Sequence, residues 1–232
     1  MDKTNRIFFH DNPYPKGHRI KEFVWNARLE TGEDEDKEKG LYFDFHLKTE
    51  DYYEEDGEDD PENFEPESDW KAKIVWGNFH SCTMSSTKWH YGGIKVADEN
   101  NRINIQNLQG CTLLADTPPI DMEEDYEDRA FHIYLLGHDA CADHRITFKQ
   151  RNPDGTYNIE WTGKIALAYV GETDLDYSFS AYIESVKFDG IYFSDELPLE
   201  ASLDMLSKYI EDYNDFRLET LSEKEYKLIL KK

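Results

Sequence analysis

The sequence predicts a mainly β protein, an antiparallel β-sandwich of jelly-roll-like kind with a C-terminal α-helical appendage. Three observations carry this. Apolar and polar residues alternate through most of positions 1–193, the period of a pleated strand with one buried face. Aromatic residues make up 14% of the chain, with 15 Tyr, 13 Phe and 5 Trp available to fill a core. After Phe193 the apolar spacing lengthens to that of a helix.

The clearest single stretch runs from His138 to Val170. Ile146, Phe148 and Gln150 share one side of an extended chain, and Asn152-Pro153-Asp154-Gly155 follows as a turn, Pro fixing φ and Gly accepting a positive one. Tyr157, Ile159, Trp161, Ile165, Leu167 and Tyr169 keep one phase beyond it, so a single long return strand bent at Gly163 completes a hairpin. Its second half, with Ala166, Ala168 and Val170 on the other face, reads as covered on both sides.

In chain order, Arg6 to His10 reads as an edge strand, Phe23 to Leu29 as a second and Leu41 to Leu47 as a third, with the acidic loop 33–38 between the last two. Positions 49–69 hold 12 acidic residues in 21 and no Lys or Arg, which predicts a solvated excursion. Trp70, Ala72, Ile74 and Trp76 then alternate with polar residues, a strand pattern that extends through Phe79. Ile94 to Val96 and Leu108 to Ala115 supply further strands, the latter ended by Pro118-Pro119, which cannot donate to a ladder. A second acidic loop at 121–128 leads to the strand Phe131 to Leu136. Tyr177 to Ile183 changes phase before Val186 and Phe188, which places a bulge near Glu184 or Ser185; Ile191 and Phe193 close the β region.

Leu199, Leu203, Leu206, Ile210 and Tyr213 recur at helical spacing behind Pro198, predicting a helix over 198–213. Ser222 with Glu225 has the form of a capping box and Leu221 with Tyr226 that of a hydrophobic staple, which predicts a second, shorter helix. The organisation expected is thus a β domain over 1–193 with a packed helical segment over 194–232.

Bulk charge narrows the function. The net charge is −24, from 50 acidic and 26 basic residues, so duplex DNA and anionic membranes are poor partners and a cationic protein is a better one. No apolar run approaches a membrane span or the core of a signal peptide, and three cysteines are too few for a disulfide framework; a soluble cytoplasmic protein with reduced thiols is expected.

The leading expectation is a non-enzymatic acidic binding protein that engages and neutralises a basic protein, a nuclease-type toxin for instance, in the manner of immunity proteins, antitoxins or nucleic-acid mimics. Its partner-binding residues would be Asp51, Tyr52, Tyr53, Glu54, Glu55, Asp56, Glu58, Asp59, Asp60 and Phe64, carboxylates for long-range attraction and rings for apolar anchoring. A metal reading ranks below an ordinary polar turn. His138, Cys141 and His144 recur every third residue and suit zinc, but no paired C-x-x-C accompanies them, and the only complement is His80, Cys82 and His90. The alternative function, a carbohydrate-binding or metal-assisted enzyme on the same scaffold, would use that segment and Trp89. The other four tryptophans keep phase with apolar neighbours and read as core. A hydrolase built on Ser81, Ser85, Ser86 and His90 lacks the G-x-S-x-G elbow.

Overall fold

The computed structural model describes residues 4–32, 38–55, 67–121 and 128–231. The chain is mainly β, a large and almost wholly antiparallel sheet curled into a half-barrel. Thirteen strands enter it among the described residues: β1 (Arg6–Phe9), β2 (His18–Glu30), β3 (Gly40–Thr49), β4 (Thr83–Ser85), β5 (Ile94–Ala97), β6 (Thr112–Ala115), β7 (His132–Tyr134), β8 (Ala140–Arg151), β9 (Tyr157–Ala166), β10 (Tyr177–Val186), β11 (Phe188–Ser194), β12 (Phe216–Thr220) and β13 (Glu225–Leu230). The helices are α1 (Lys73–Phe79) and α2 (Leu199–Tyr209).

The curl originates in β2. At 13 residues it is long enough to serve two arms of the sheet: its start pairs with β1, and the rest pairs with β3 on one side and, in parallel, with β11 on the other. One arm runs β1-β10-β9-β8-β6; the other carries β3, β4, β5, β7 and the run β11-β13-β12. Their inner faces meet through aromatic rings. Trp25 lies 4.9 Å from Phe148, Phe45 lies 6.0 Å from Trp161, and Phe131 lies 4.7 Å from Trp161, centroid to centroid. Each such pair adds about 1 kcal/mol beyond the area it buries, so these rings hold the arms together.

The hairpin predicted from local signals is β8–β9. Asn152 N–H donates to Thr156 O at 2.8 Å, Gly155 N–H to Asn152 O at 3.0 Å, and Gly155 has the positive φ of 86° that the turn needs. Gly163 is needed for space rather than for a bend: a Cβ there would come within 2.7 Å of the Phe179 ring. The return strand ends early, however. Leu167 O accepts N–H groups from Val170 and Glu172, both at 3.1 Å, so local turn bonds replace the ladder, and the chain leaves the sheet in a 3-10 turn at Ala168–Val170. The two-sided covering expected there stops at Leu167. The bulge between Ile183 and Val186 is present, with Ser185 at φ 56°.

Other expectations are corrected. β1 is an interior strand between β2 and β10, not an edge. Trp70 to Phe79 is not a strand: Trp70 sits in a 3-10 turn at Asp69–Lys71 and Trp76 in α1, where its indole N–H donates to Trp70 O at 2.8 Å. Both rings enter the core from one side of the turn, while Ile74, the inward residue of the strand pattern, points to solvent. The second C-terminal helix is instead the hairpin β12–β13. Ser222 Oγ does donate to Glu225 Oε2 at 3.3 Å, but inside the hairpin turn, and pairing of β13 with β11 outweighs the local helix signal. The helix predicted over 198–213 is α2, ended at Ile210 by a bridge to Ile103. No described helix is long and apolar enough to cross a membrane.

Candidate protein interface

The segment from Asp51 to Glu55 was expected to present partner-binding side chains, and the structure divides it. Tyr52 is fully buried: its hydroxyl donates to Leu135 O at 3.2 Å, and its ring packs 5.1 Å from Trp76 and 4.8 Å from His18. It is a buried anchor of the fold and not the exposed side chain expected, a correction with a plain cause, since an aromatic ring gains more from a core position than from an exposed one. Tyr53, its neighbour, is 54% exposed and lies across α1 with its ring 6.2 Å from His80. Asp51 accepts the Tyr53 N–H at 3.1 Å and stands 3.6 Å from His80 Nδ1; Glu54 is exposed. Glu55 ends the 3-10 turn Tyr52–Glu55. Asp56, Glu58, Asp59, Asp60 and Phe64 lie outside the described residues, as do 33–37 and 122–127 of the other two acidic loops.

Beyond the next described residue, Glu67, a second anchor follows. Trp70 Nε1–H donates to His10 O at 2.8 Å, and its ring stacks on Tyr177 at 4.2 Å. Tyr52 and Trp70 therefore pin the two ends of the acidic excursion to one aromatic cluster, which also contains Phe9, Tyr14, His18 and Trp76. Burial, with Arg6 as a smaller influence, lowers His18 to about 3, so it serves this cluster as a neutral ring.

That cluster holds α1 at the surface, and α1 brings together what the sequence scattered. Val75 and Phe79 line one side of a cleft of about 170 Å³, opposite Leu136, Leu167 and the 3-10 turn of Ala168–Val170. Ile74 is 76% exposed, Tyr169 62% and Val170 51%. Ile74 and Gly77 are one helical turn apart on a common side, and a Cβ on Gly77 would touch the Tyr53 hydroxyl at 2.7 Å, so Ile74 and Tyr53 share one side of α1. The Tyr169 ring lies 6.0 Å from Phe79 and covers Gly137, where a Cβ would come within 2.4 Å of it. Beneath, Asp139 accepts N–H groups from Leu136 at 2.8 Å and Tyr169 at 3.4 Å; burial raises its carboxyl despite them. Asp69 lines the cleft as well, and the Glu172 carboxylate adds to the rise of Asp139. Sequence reasoning missed Ile74, Tyr169 and Val170 because all three fit a strand pattern; the one available signal was Gly171, which at φ 89° caps the turn.

The zinc-suited triplet is not assembled. His138 is exposed, its ring 6.0 Å from Trp89 and 5.3 Å from Tyr134. Cys141 is buried, donates to Phe131 O at 3.5 Å, and is pushed up by burial, as is Cys82. His144 is enclosed by Trp161, Phe131 and Phe179 and lowered to about 3 by burial and by Arg129. Of the suggested complement, His80 lies by Asp51 and His90 by His132 at 4.7 Å. Among the described residues no three His, Cys, Asp or Glu side chains are grouped to hold a metal ion. Ser86 is buried, its hydroxyl donating to Asp44 Oδ1 at 3.0 Å and accepting the Phe45 N–H at 3.1 Å.

No protein-family model, curated protein or solved structure matches this chain.

Proposed function

We propose that this protein is a non-enzymatic acidic binding protein that engages a basic protein through the surface built on α1. One observation carries the reading: Tyr169 and Val170 are exposed at an apolar cleft that Asp69 also lines, and Ile74 and Tyr53 are exposed beside the helix that forms its other wall. Exposed apolar side chains that cluster inside a polar rim are the arrangement of an interaction site. A net charge of −24 adds long-range attraction for a cationic partner and repels nucleic acid. In this reading the partner's basic residues meet the carboxylates while an apolar residue enters the cleft, and neutralisation follows from covering a basic surface, as an immunity protein or antitoxin would do. The scaffold beneath is read as a sandwich, supported by the facing arms that meet at Trp25 and Phe148.

The test is affinity capture from the native cell with the full chain, followed by titration of the captured basic protein. Two variants are compared, one with the acids between Asp51 and Asp60 changed to Asn and Gln, the other Ile74→Asp. Each is expected to weaken binding at least tenfold, the first with a reduced salt dependence. Retention of no basic protein, or retention unaffected by both variants, would overturn the proposal.

A further inference from the structure

On the outer face of the other arm, cross-strand register aligns Tyr42, Arg28, Tyr192 and Lys227 in one row across β3, β2, β11 and β13. Cations and rings alternate along it. The Arg28 guanidinium lies 5.1 Å from the Tyr42 ring and 5.9 Å from that of Tyr91, and the Lys227 ammonium lies 4.7 Å over Tyr192. Arg28 also pairs with Glu30 at 3.0 Å and Asp44 at 3.6 Å, and donates to the Gly92 carbonyl, which ties the loop bearing Tyr91 over the sheet. The next rung is acidic: Glu30 lies two residues beyond Arg28, Ser194 two beyond Tyr192, and Glu225 faces Ser194. With neighbouring strands about 4.8 Å apart, Glu30 and Glu225 flank Ser194 at a separation of roughly 10 Å.

Over these two rungs lies a groove of about 700 Å³, walled by Tyr91, Tyr226, Leu221 and Glu196. Its size is that of a small-molecule site, and its chemistry selects a cation. Three carboxylates line the groove, those of Glu30, Glu196 and Glu225, against the guanidinium of Arg28, which Glu30 and the buried Asp44 pair, and the Lys227 ammonium over Tyr192 is itself paired with Asp189 at 2.9 Å, so negative charge remains. Aromatic faces attract cations, and Tyr91, 68% exposed, offers one at the mouth. An anion would meet repulsion from the groove and from the chain as a whole.

We propose that this groove binds a linear polyamine, an alkyl chain with two or more ammonium groups, one at Glu30 and another at Glu225, its methylenes crossing Tyr192 beneath Tyr91. Glu30 and Glu225 belong to strands two apart in the sheet, roughly 10 Å at the backbone, and suit a chain charged at both ends. The groove shares no residue with the cleft lined by α1, so this site and the partner surface stand or fall separately.

The experiment is calorimetric titration of the full chain with spermidine at low and physiological salt, with trilysine peptide as a second probe. Saturable one-to-one binding of spermidine is expected, weakened about tenfold by Glu225→Gln and by Tyr91→Ala, and unchanged by Glu200→Gln, which removes an exposed charge on α2. Thermal melts verify that each variant folds; Tyr91→Ala, at an exposed ring, keeps the test usable if Glu225→Gln does not. Absence of saturable binding at millimolar spermidine, an equal loss with Glu200→Gln, or preference for trilysine over spermidine would overturn the proposal.

Discussion

The Trp161 indole N–H donates to His144 Nδ1 across 3.2 Å in the centre of the half-barrel. An indole nitrogen donates only, so Nδ1 must accept and the ring proton sits on Nε2. That atom faces Asp116 Oδ2 at 3.7 Å. One hydrogen bond between a core tryptophan and a buried histidine thus fixes the tautomer and aims it at a buried carboxylate.

Removing the donor with Trp161→Phe is expected to lower the unfolding free energy by roughly 2–4 kcal/mol, the sum of a buried bond lost from an unsatisfied acceptor and the volume left behind. Urea unfolding monitored by circular dichroism measures it.

Burial has a pH signature. His144 and His18 are lowered to about 3 and His132 to about 4, burial being the chief cause in each. A depressed histidine leaves the folded state unprotonated while the unfolded chain takes up protons below about 6.5, so stability present above that value is lost as pH falls. Asp116, raised to about 6 by burial, acts oppositely, its contribution being present at low pH and lost as pH rises through about 6. The three histidines outweigh it. At pH 5 each fully enclosed histidine is expected to cost about 2 kcal/mol relative to pH 7.5, partly offset by Asp116. Unfolding midpoints at pH 7.5, 6 and 5 should decline in order; a flat profile would contradict neutral burial.

Adjacent tyrosines should behave differently. Tyr52→Ala removes a fully buried ring and its hydrogen bond and is expected to destabilise by about 3–5 kcal/mol. Tyr53→Ala, at the surface, is expected to change stability by no more than about 0.5 kcal/mol. Equal effects in denaturant titrations would contradict the division of the segment.

Gly137→Ala is expected to destabilise by more than about 1 kcal/mol, because φ is 134° and the new Cβ would meet the Tyr169 ring at 2.4 Å. The displaced Tyr169 should also alter its fluorescence quenching, since the ring must swing away from the cleft.

By itself the sequence determined the β class, the β8–β9 hairpin, the bulge before Val186 and α2, because each is written in local periodicity and turn chemistry that neighbouring residues decide among themselves. It also determined the charge. Tertiary structure decided the rest. Trp70 and Trp76 read as strand, and their packing with Tyr52 and His18 in one cluster goes instead with a 3-10 turn at Trp70 and a helix at Trp76. Ser222 and Glu225 make the contact of a helix cap inside a hairpin because β11 had an open edge for β13. The acidic residues around 51–60 were legible as a charge run. Their apolar complement was not: Val75 and Phe79 lie nearly a hundred positions from Tyr169 and Val170 and form one cleft with them only when α1 and the turn after β9 pack together across Leu136 and Leu167.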